Sequence, residues 1–175
     1  RWTKLCYLMS RSLWRFPRKR ENANLQGWCN MVINIDENMN FQMLNKRIRD
    51  AVDKETVLNG CIGQRYIGTG VSDKKIVING TPGNALGAYL NGGEIYVYAN
   101  AQDATGDTMN SGTIVIHGNA GDATGYAMHG GKIYLRCKSL PHRIPSQVRA
   151  EKLCGNKDTE LIGIIYDYCK YFDDM

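Results

Sequence analysis

At 175 residues, 43% hydrophobic and 22% charged, the chain has the size and composition of one globular domain with extensions. Its net charge of +5 sits at one end: residues 1–30 carry seven basic residues and the single acid Glu21, which leaves a net of −1 for all that follows. That distribution excludes a basic nucleic-acid-binding surface on the body, and the absence of any run of about 18 apolar residues excludes a membrane-spanning helix.

Residues 1–35 are predicted to be a poorly ordered basic extension. Trp2, Leu5, Leu8, Leu13, Trp14 and Phe16 are interleaved with its charges, a mixture that also suits a membrane-surface or acidic-partner anchor. Arg11 and Arg15 interrupt any apolar run and no small-residue cleavage site follows, so it does not read as a secretory signal. Residues 36–56 are predicted as a capping helix. Within Asn40 to Asp53, Phe41, Leu44, Ile48 and Val52 recur at spacings of three and four, with Asn38 or Asn40 as N-cap.

From Lys75 to Gly131 a 19-residue block repeats three times without a gap: KIVINGTPGNALGAYLNGG, EIYVYANAQDATGDTMNSG and TIVIHGNAGDATGYAMHGG. The third block shares nine residues with each of the others, and Lys132 to Arg136 reopens the pattern, so the period is fixed. Such a period means one supersecondary unit stacked on copies of itself. Each block opens on a β-branched and aliphatic run (Ile76–Ile78, Ile95–Val97, Ile114–Ile116, Ile133–Leu135), which predicts a strand with alternating faces. Gly87, Gly106 and Gly125 form one column of the second half, and Gly93, Gly112 and Gly131 another. A helix would lose roughly 1 kcal/mol at each such glycine, and 19 residues are too few for strand, turn and helix. Val57 to Lys74 reads as a worn earlier coil, with Val57 falling 19 before Ile76, Gly68 before Gly87 and Val71 before Leu90. The predicted fold is therefore mainly β: a single-stranded right-handed parallel β-helix of 19-residue coils over residues 57–136, with an N-terminal capping helix.

Residues 137–175 form a divergent tail. Its segment Glu160 to Phe172 is apolar enough to cover the open end of the stack, as helix or strand. Six cysteines (6, 29, 61, 137, 154, 169) show no C-x-x-C or other metal spacing, and free thiols in a reducing cytoplasm are expected.

Chemistry is sparse. Asp103 and Asp122 share a column with Asn84, and two carboxylates about 5 Å apart can bind a divalent cation. The competing reading, preferred here, is that Asn or Asp at a corner bonds backbone N–H groups. His117 lines up with Asn79 and Tyr98, and His129 with Asn91 and Asn110, both turn and surface columns, and His142 has no marked partner. Gly83-x-x-x-Gly87 and Gly121-x-x-x-Gly125 lack the Gly-Lys-Ser/Thr of a phosphate loop and read as corners. No catalytic, cofactor-binding or metal-binding residue is predicted, and the repeat positions are architectural.

The frame Gly80 to Gly87, followed by DATGDTMNSG (103–112) and GDATGYAMHGG (121–131), resembles the C-terminal β-helix domain of glutamate synthase large subunits, most closely its stand-alone archaeal and bacterial forms. The lead-in Gln64–Gly70 and the helix Leu44–Val52 fit the same pattern, so the resemblance covers about residues 36–136. It implies assembly with glutaminase and FMN/iron–sulfur synthase units that convert glutamine and 2-oxoglutarate into two glutamates. The β-helix of that family carries no catalytic residue and helps to form the ammonia route, with FMN and iron–sulfur centres on partner subunits. The family also includes a subunit of formylmethanofuran dehydrogenase, the alternative reading; a carbohydrate-binding or lyase β-helix is a third. Family members usually run on through further coils, whereas the repeat here stops after Arg136.

Overall fold

A computed structural model describes residues 30–136 together with the backbone of residues 137, 148–155 and 160–166. The described elements are β1 (Met31–Asn34), α1 (Phe41–Asp50), β2 (Glu55–Ile62), β3 (Lys75–Thr81), β4 (Asn91–Val97), β5 (Ser111–Ile116), β6 (Lys132–Cys137), β7 (Val148–Gly155) and β8 (Glu160–Tyr166). Strands β1 to β6 are hydrogen-bonded in chain order and all parallel. The protein is a parallel β-helix, and its repeat unit is the predicted 19-residue coil: Ile76 lies opposite Ile95, Ile95 opposite Ile114, and Ile114 opposite Ile133.

Each coil has one strand and one turn edge, with the core between them. Ile76, Ile95, Ile114 and Ile133 form one fully buried stack, and Leu58, Ile78, Val97, Ile116 and Leu135 form a second. Leu90, Met109 and Met128 close the core from the turn side. Each such side chain contributes roughly 1.5–3 kcal/mol on burial; one coil alone buries too few to offset the ordering of its 19 residues, which is why the stack is the stable unit.

The turn edge consists of two overlapping i→i+3 turns per coil. In the coil of Gly87, the N–H of Ala88 donates to Ala85 and that of Leu90 to Gly87; the same pair recurs around Gly68, Gly106 and Gly125. A turn of this kind with φ > 0 at its third residue needs a left-handed residue there. Accordingly, φ is positive at the third residue of each turn, 68 and 70, 87 and 89, 106 and 108, and 125 and 127, and it is positive also at the first residue of each pair, 66, 85, 104 and 123. The central position is always glycine. At Gly68, Gly87 and Gly106 an added Cβ would lie within 2.5–2.8 Å of the Cδ1 of a core isoleucine (Ile95, Ile114 and Ile133).

Several sequence boundaries shift. Met31–Asn34, inside the stretch read as an extension, is the first strand of the sheet, paired with β2 through Val32–Val57 and Ile33–Leu58. Four residues of strand next to charged sequence carry too little pattern to stand out. The remainder of that extension lies outside the described residues. Helix α1 lies between β1 and β2, inside a 25-residue step of the sheet, and directly precedes the coil whose turn edge it caps. It ends at Asp50, and its buried face is Leu44, Asn45 and Ile48; Phe41 is 42% exposed and Val52, beyond the helix end, 96%. The N-cap is Asn40, whose Oδ1 accepts the N–H of Met43 at 2.9 Å. In β2 the partner of Ile76 is Thr56, not Val57, because the register slips by one between Asn59 and Cys61. A strict count of 19 cannot register a one-residue bulge.

Asn45 explains how the stack begins. In later coils the N–H of the central glycine bonds the carbonyl of the coil before it, as Gly87 to Ile67 (2.8 Å), Gly106 to Leu86 (2.7 Å) and Gly125 to Thr105 (2.8 Å). Gly68 has no such coil behind it. Its N–H donates to Asn45 Oδ1 at 2.9 Å, and Asn45 Nδ2 donates to the Tyr66 carbonyl at 2.8 Å. One helical amide thus takes the place of a peptide of the missing coil.

At the other end, β8 pairs antiparallel with β6, and β7 with β8. The apolar segment left undecided between helix and strand is a strand, at least over Glu160–Tyr166. It places Ile164 opposite Ile133 and Ile162 opposite Leu135, so an antiparallel strand covers the edge of the last repeat strand. Among the described residues, no helix is long and apolar enough to cross a membrane.

Candidate functional site

The columns singled out in the sequence all lie on the corners and turn edge. Gly68, Gly87, Gly106 and Gly125 are the central turn residues described above. Gly93, Gly112 and Gly131 lie where the chain enters a strand, with φ of 71°, 99° and 86°. The backbone carbonyls of Asn84, Asp103 and Asp122 accept from the N–H groups of Tyr66, Ala85 and Ala104, one coil earlier (2.8–3.0 Å). Asp103 Oδ1 also accepts the N–H of Asp122 at 2.9 Å, a bond between successive coils that Asn100 Oδ1 repeats with Asn119. Carboxylate and amide here act as backbone acceptors at a corner. Among the described residues, no group of three or more His, Cys, Asp or Glu is placed to hold a metal ion. Burial pushes the Cys61 thiol up to about 11 against a lowering hydrogen bond from the Gln64 backbone, which keeps it protonated and inert.

The column that the sequence shows as Asn79, Tyr98 and His117 extends further in the structure. Immediately after the buried strand residues, Asn34, Asn59, Asn79, Tyr98 and His117 follow one another up the sheet, and Arg136 continues the line on β6. Asn79 Nδ2 donates to Asn59 Oδ1 at 2.7 Å, and Asn59 Nδ2 donates to Asn34 Oδ1 at 3.2 Å. The Tyr98 and His117 rings then stack, with centroids 5.0 Å apart and planes at 19°. Asn59 and Asn34 escape a strict count of 19 because the bulge in β2 and the inserted helix stretch their steps to 20 and 25 residues. Like partners bonded to like partners lock the coils in register, since a slip of one residue would separate every pair.

Burial, with the Arg136 charge adding to it, holds the His117 imidazole below its ordinary pKa of 6.5. The unfolded chain therefore takes up a proton at His117 at a higher pH than the folded chain does. The stabilisation from neutral His117 is complete above about pH 6.5 and is lost as the pH falls through the lower folded value. Thermal melts between pH 7.5 and 5 should show the melting temperature of the wild type declining more steeply than that of His117→Gln. Parallel curves would refute the assignment.

A parallel β-helix with side-chain ladders and left-handed residues at alternate turn positions is a repeat scaffold. The chain belongs to the GXGXG motif family, whose model matches residues 24–138, a family found in the C-terminal region of glutamate synthase large subunits. The alternate spacing of that motif is the spacing of the left-handed residues, of which this chain keeps glycine at 68 and 70 and then only at the centre of each turn. An uncharacterized protein of Methanocaldococcus jannaschii is 38% identical over 85 residues, covering 45% of this chain and 32% of that protein. The matched stretch thus spans about a third of the length of the curated relative. No solved structure gave a significant match.

Proposed function

We propose that this chain is a non-catalytic assembly module of a glutamate synthase-like oxidoreductase, which converts glutamine and 2-oxoglutarate into two glutamates. The observation that carries the reading is that the family match coincides with the solenoid itself. The repeat polar groups within it are engaged in holding coil to coil. The partners are a glutaminase and an FMN-binding, iron–sulfur synthase subunit, which hold the cofactors. The β-helix packs against them and helps to enclose the path along which ammonia passes between their active sites.

The test is purification of the tagged full-length chain from its source cells under native conditions, with the companions identified by mass spectrometry. Glutaminase and FMN-domain proteins, together with glutamine-dependent glutamate formation by the recovered complex, are the expected result. Molybdopterin-type subunits in their place would move the chain to formylmethanofuran dehydrogenase, and recovery of no partner would overturn the assembly reading. The isolated chain should be colourless; a flavin spectrum that persists through gel filtration would contradict the placement of FMN on a partner.

A further inference from the structure

Tyr89 lies in a left-handed turn column made of Gly70, Tyr89, Thr108 and Ala127 and carries the bulkiest side chain of the four. Its φ is 56°, and the equivalent residue one coil earlier is Gly70, with φ of 67° and open space where a Cβ would stand. A bulky L-residue is strained in this region, and burial does not compensate, because Tyr89 is 55% exposed. The left-handed turn is common to every coil, but at this column the chain places a large ring that is turned to solvent and so available for contacts outside the fold.

Its surroundings indicate what that use is. The N–H of Tyr89 donates to the Asp107 carbonyl at 2.9 Å, and the N–H of Thr108 to the Tyr126 carbonyl at 2.8 Å. Tyr89, Asp107 and Tyr126 therefore stand on three successive coils of one edge. At about 4.8 Å per coil, roughly 10 Å separates the first coil from the third. Tyr126 is also 55% exposed. The Asp107 carboxylate accepts the Thr108 hydroxyl at 3.0 Å and takes part in neither of the ion pairs found among the described residues. Between residues 76 and 131 there is no lysine or arginine, whereas Glu94, Asp103, Asp107 and Asp122 are acidic.

We infer that the Tyr89–Asp107–Tyr126 edge is a docking surface for a protein partner that presents an arginine. A guanidinium can pair with the Asp107 carboxylate while its planar face lies on a tyrosine ring, a combination that a lysine ammonium does not match. Tyrosine and arginine are also the residues that concentrate binding energy at protein interfaces. The inference rests on the assembly reading above and adds which face is used and what the partner brings to it.

Native purification from source cells should be repeated with Tyr89→Gly, Tyr126→Ala, Tyr126→Phe, Asp107→Asn and Asp107→Arg, with Val52→Ala as an exposed control. Tyr89→Gly removes the strain with the ring, so its melting temperature should equal or exceed that of the wild type while partner recovery falls at least fivefold. Asp107→Arg should abolish recovery, Asp107→Asn should weaken it about tenfold, and Tyr126→Phe should retain what Tyr126→Ala loses. Wild-type recovery by Tyr89→Gly and Asp107→Arg would overturn the docking edge and leave the assembly reading standing. Loss with the tyrosine variants but not with Asp107→Asn would overturn the arginine assignment. Failure of the wild-type chain to recover any partner would sink the assembly reading and this inference with it.

Discussion

Gly112→Ala should be among the most destabilising single methyl additions in the chain, lowering stability by about 3–5 kcal/mol. The φ of 99° at Gly112 is outside what an L-residue adopts without strain. The added Cβ would stand 2.6 Å from the Gly92 carbonyl oxygen and 2.8 Å from both the Gly92 carbonyl carbon and the Gly93 oxygen. All three atoms are backbone of the coil below, so no side-chain rotation relieves the clash and the coils themselves must separate. Gly87→Ala should cost less, about 2–3 kcal/mol, because its nearest obstacle is the terminal methyl of Ile114 at 2.6 Å. Gly70→Ala, with the same sign of φ and open space around it, should cost only the conformational term of roughly 1 kcal/mol. Chemical denaturation of the three variants gives the ranking directly. Equal losses would mean that backbone conformation alone, and not the approach of neighbouring coils, dictates glycine in these columns.

That ranking also shows where the sequence was informative. Stacking one coil directly on the next imposes the same packing problem every 19 residues, so the strand, the core isoleucines and the turn glycines all return in columns that can be read without coordinates. What breaks the period is hidden by the same logic. The bulge between Asn59 and Cys61 moves Val57 out of the column that a constant count gives it and puts Thr56 there instead. The helix, inserted into a 25-residue step, conceals that β1 already belongs to the sheet. The Asn34–Asn59–Asn79–Tyr98–His117 column crosses both irregularities, so a constant count reaches Asn79, Tyr98 and His117 but not Asn59 or Asn34. The docking edge was legible only as three unremarkable letters, because exposure and positive φ at Tyr89 are properties of the folded chain.

Asn45 is the other position at which a single change should be costly. It is only 4% exposed, and its side chain holds the first turn in place. Asn45→Leu preserves the approximate volume but leaves the Gly68 N–H buried without an acceptor. The Tyr66 carbonyl would still accept from Thr69 through its N–H (3.3 Å) and its hydroxyl (2.7 Å). Asn45 Nδ2 also donates to the Phe41 carbonyl at 2.9 Å, so one orphaned buried donor plus two lost bonds amounts to about 2–4 kcal/mol. Asn45→Asp should behave differently: it keeps the acceptor for Gly68 but turns an oxygen toward the Tyr66 carbonyl, where a donor is required. Amide hydrogen exchange separates this from a general loss of stability. In Asn45→Leu the Gly68 amide should exchange by local opening, while the Gly87 amide, bonded to Ile67 within the stack, stays protected until global unfolding. If both amides lose protection together, the helix is not replacing a missing coil, and the stack draws its starting template from elsewhere.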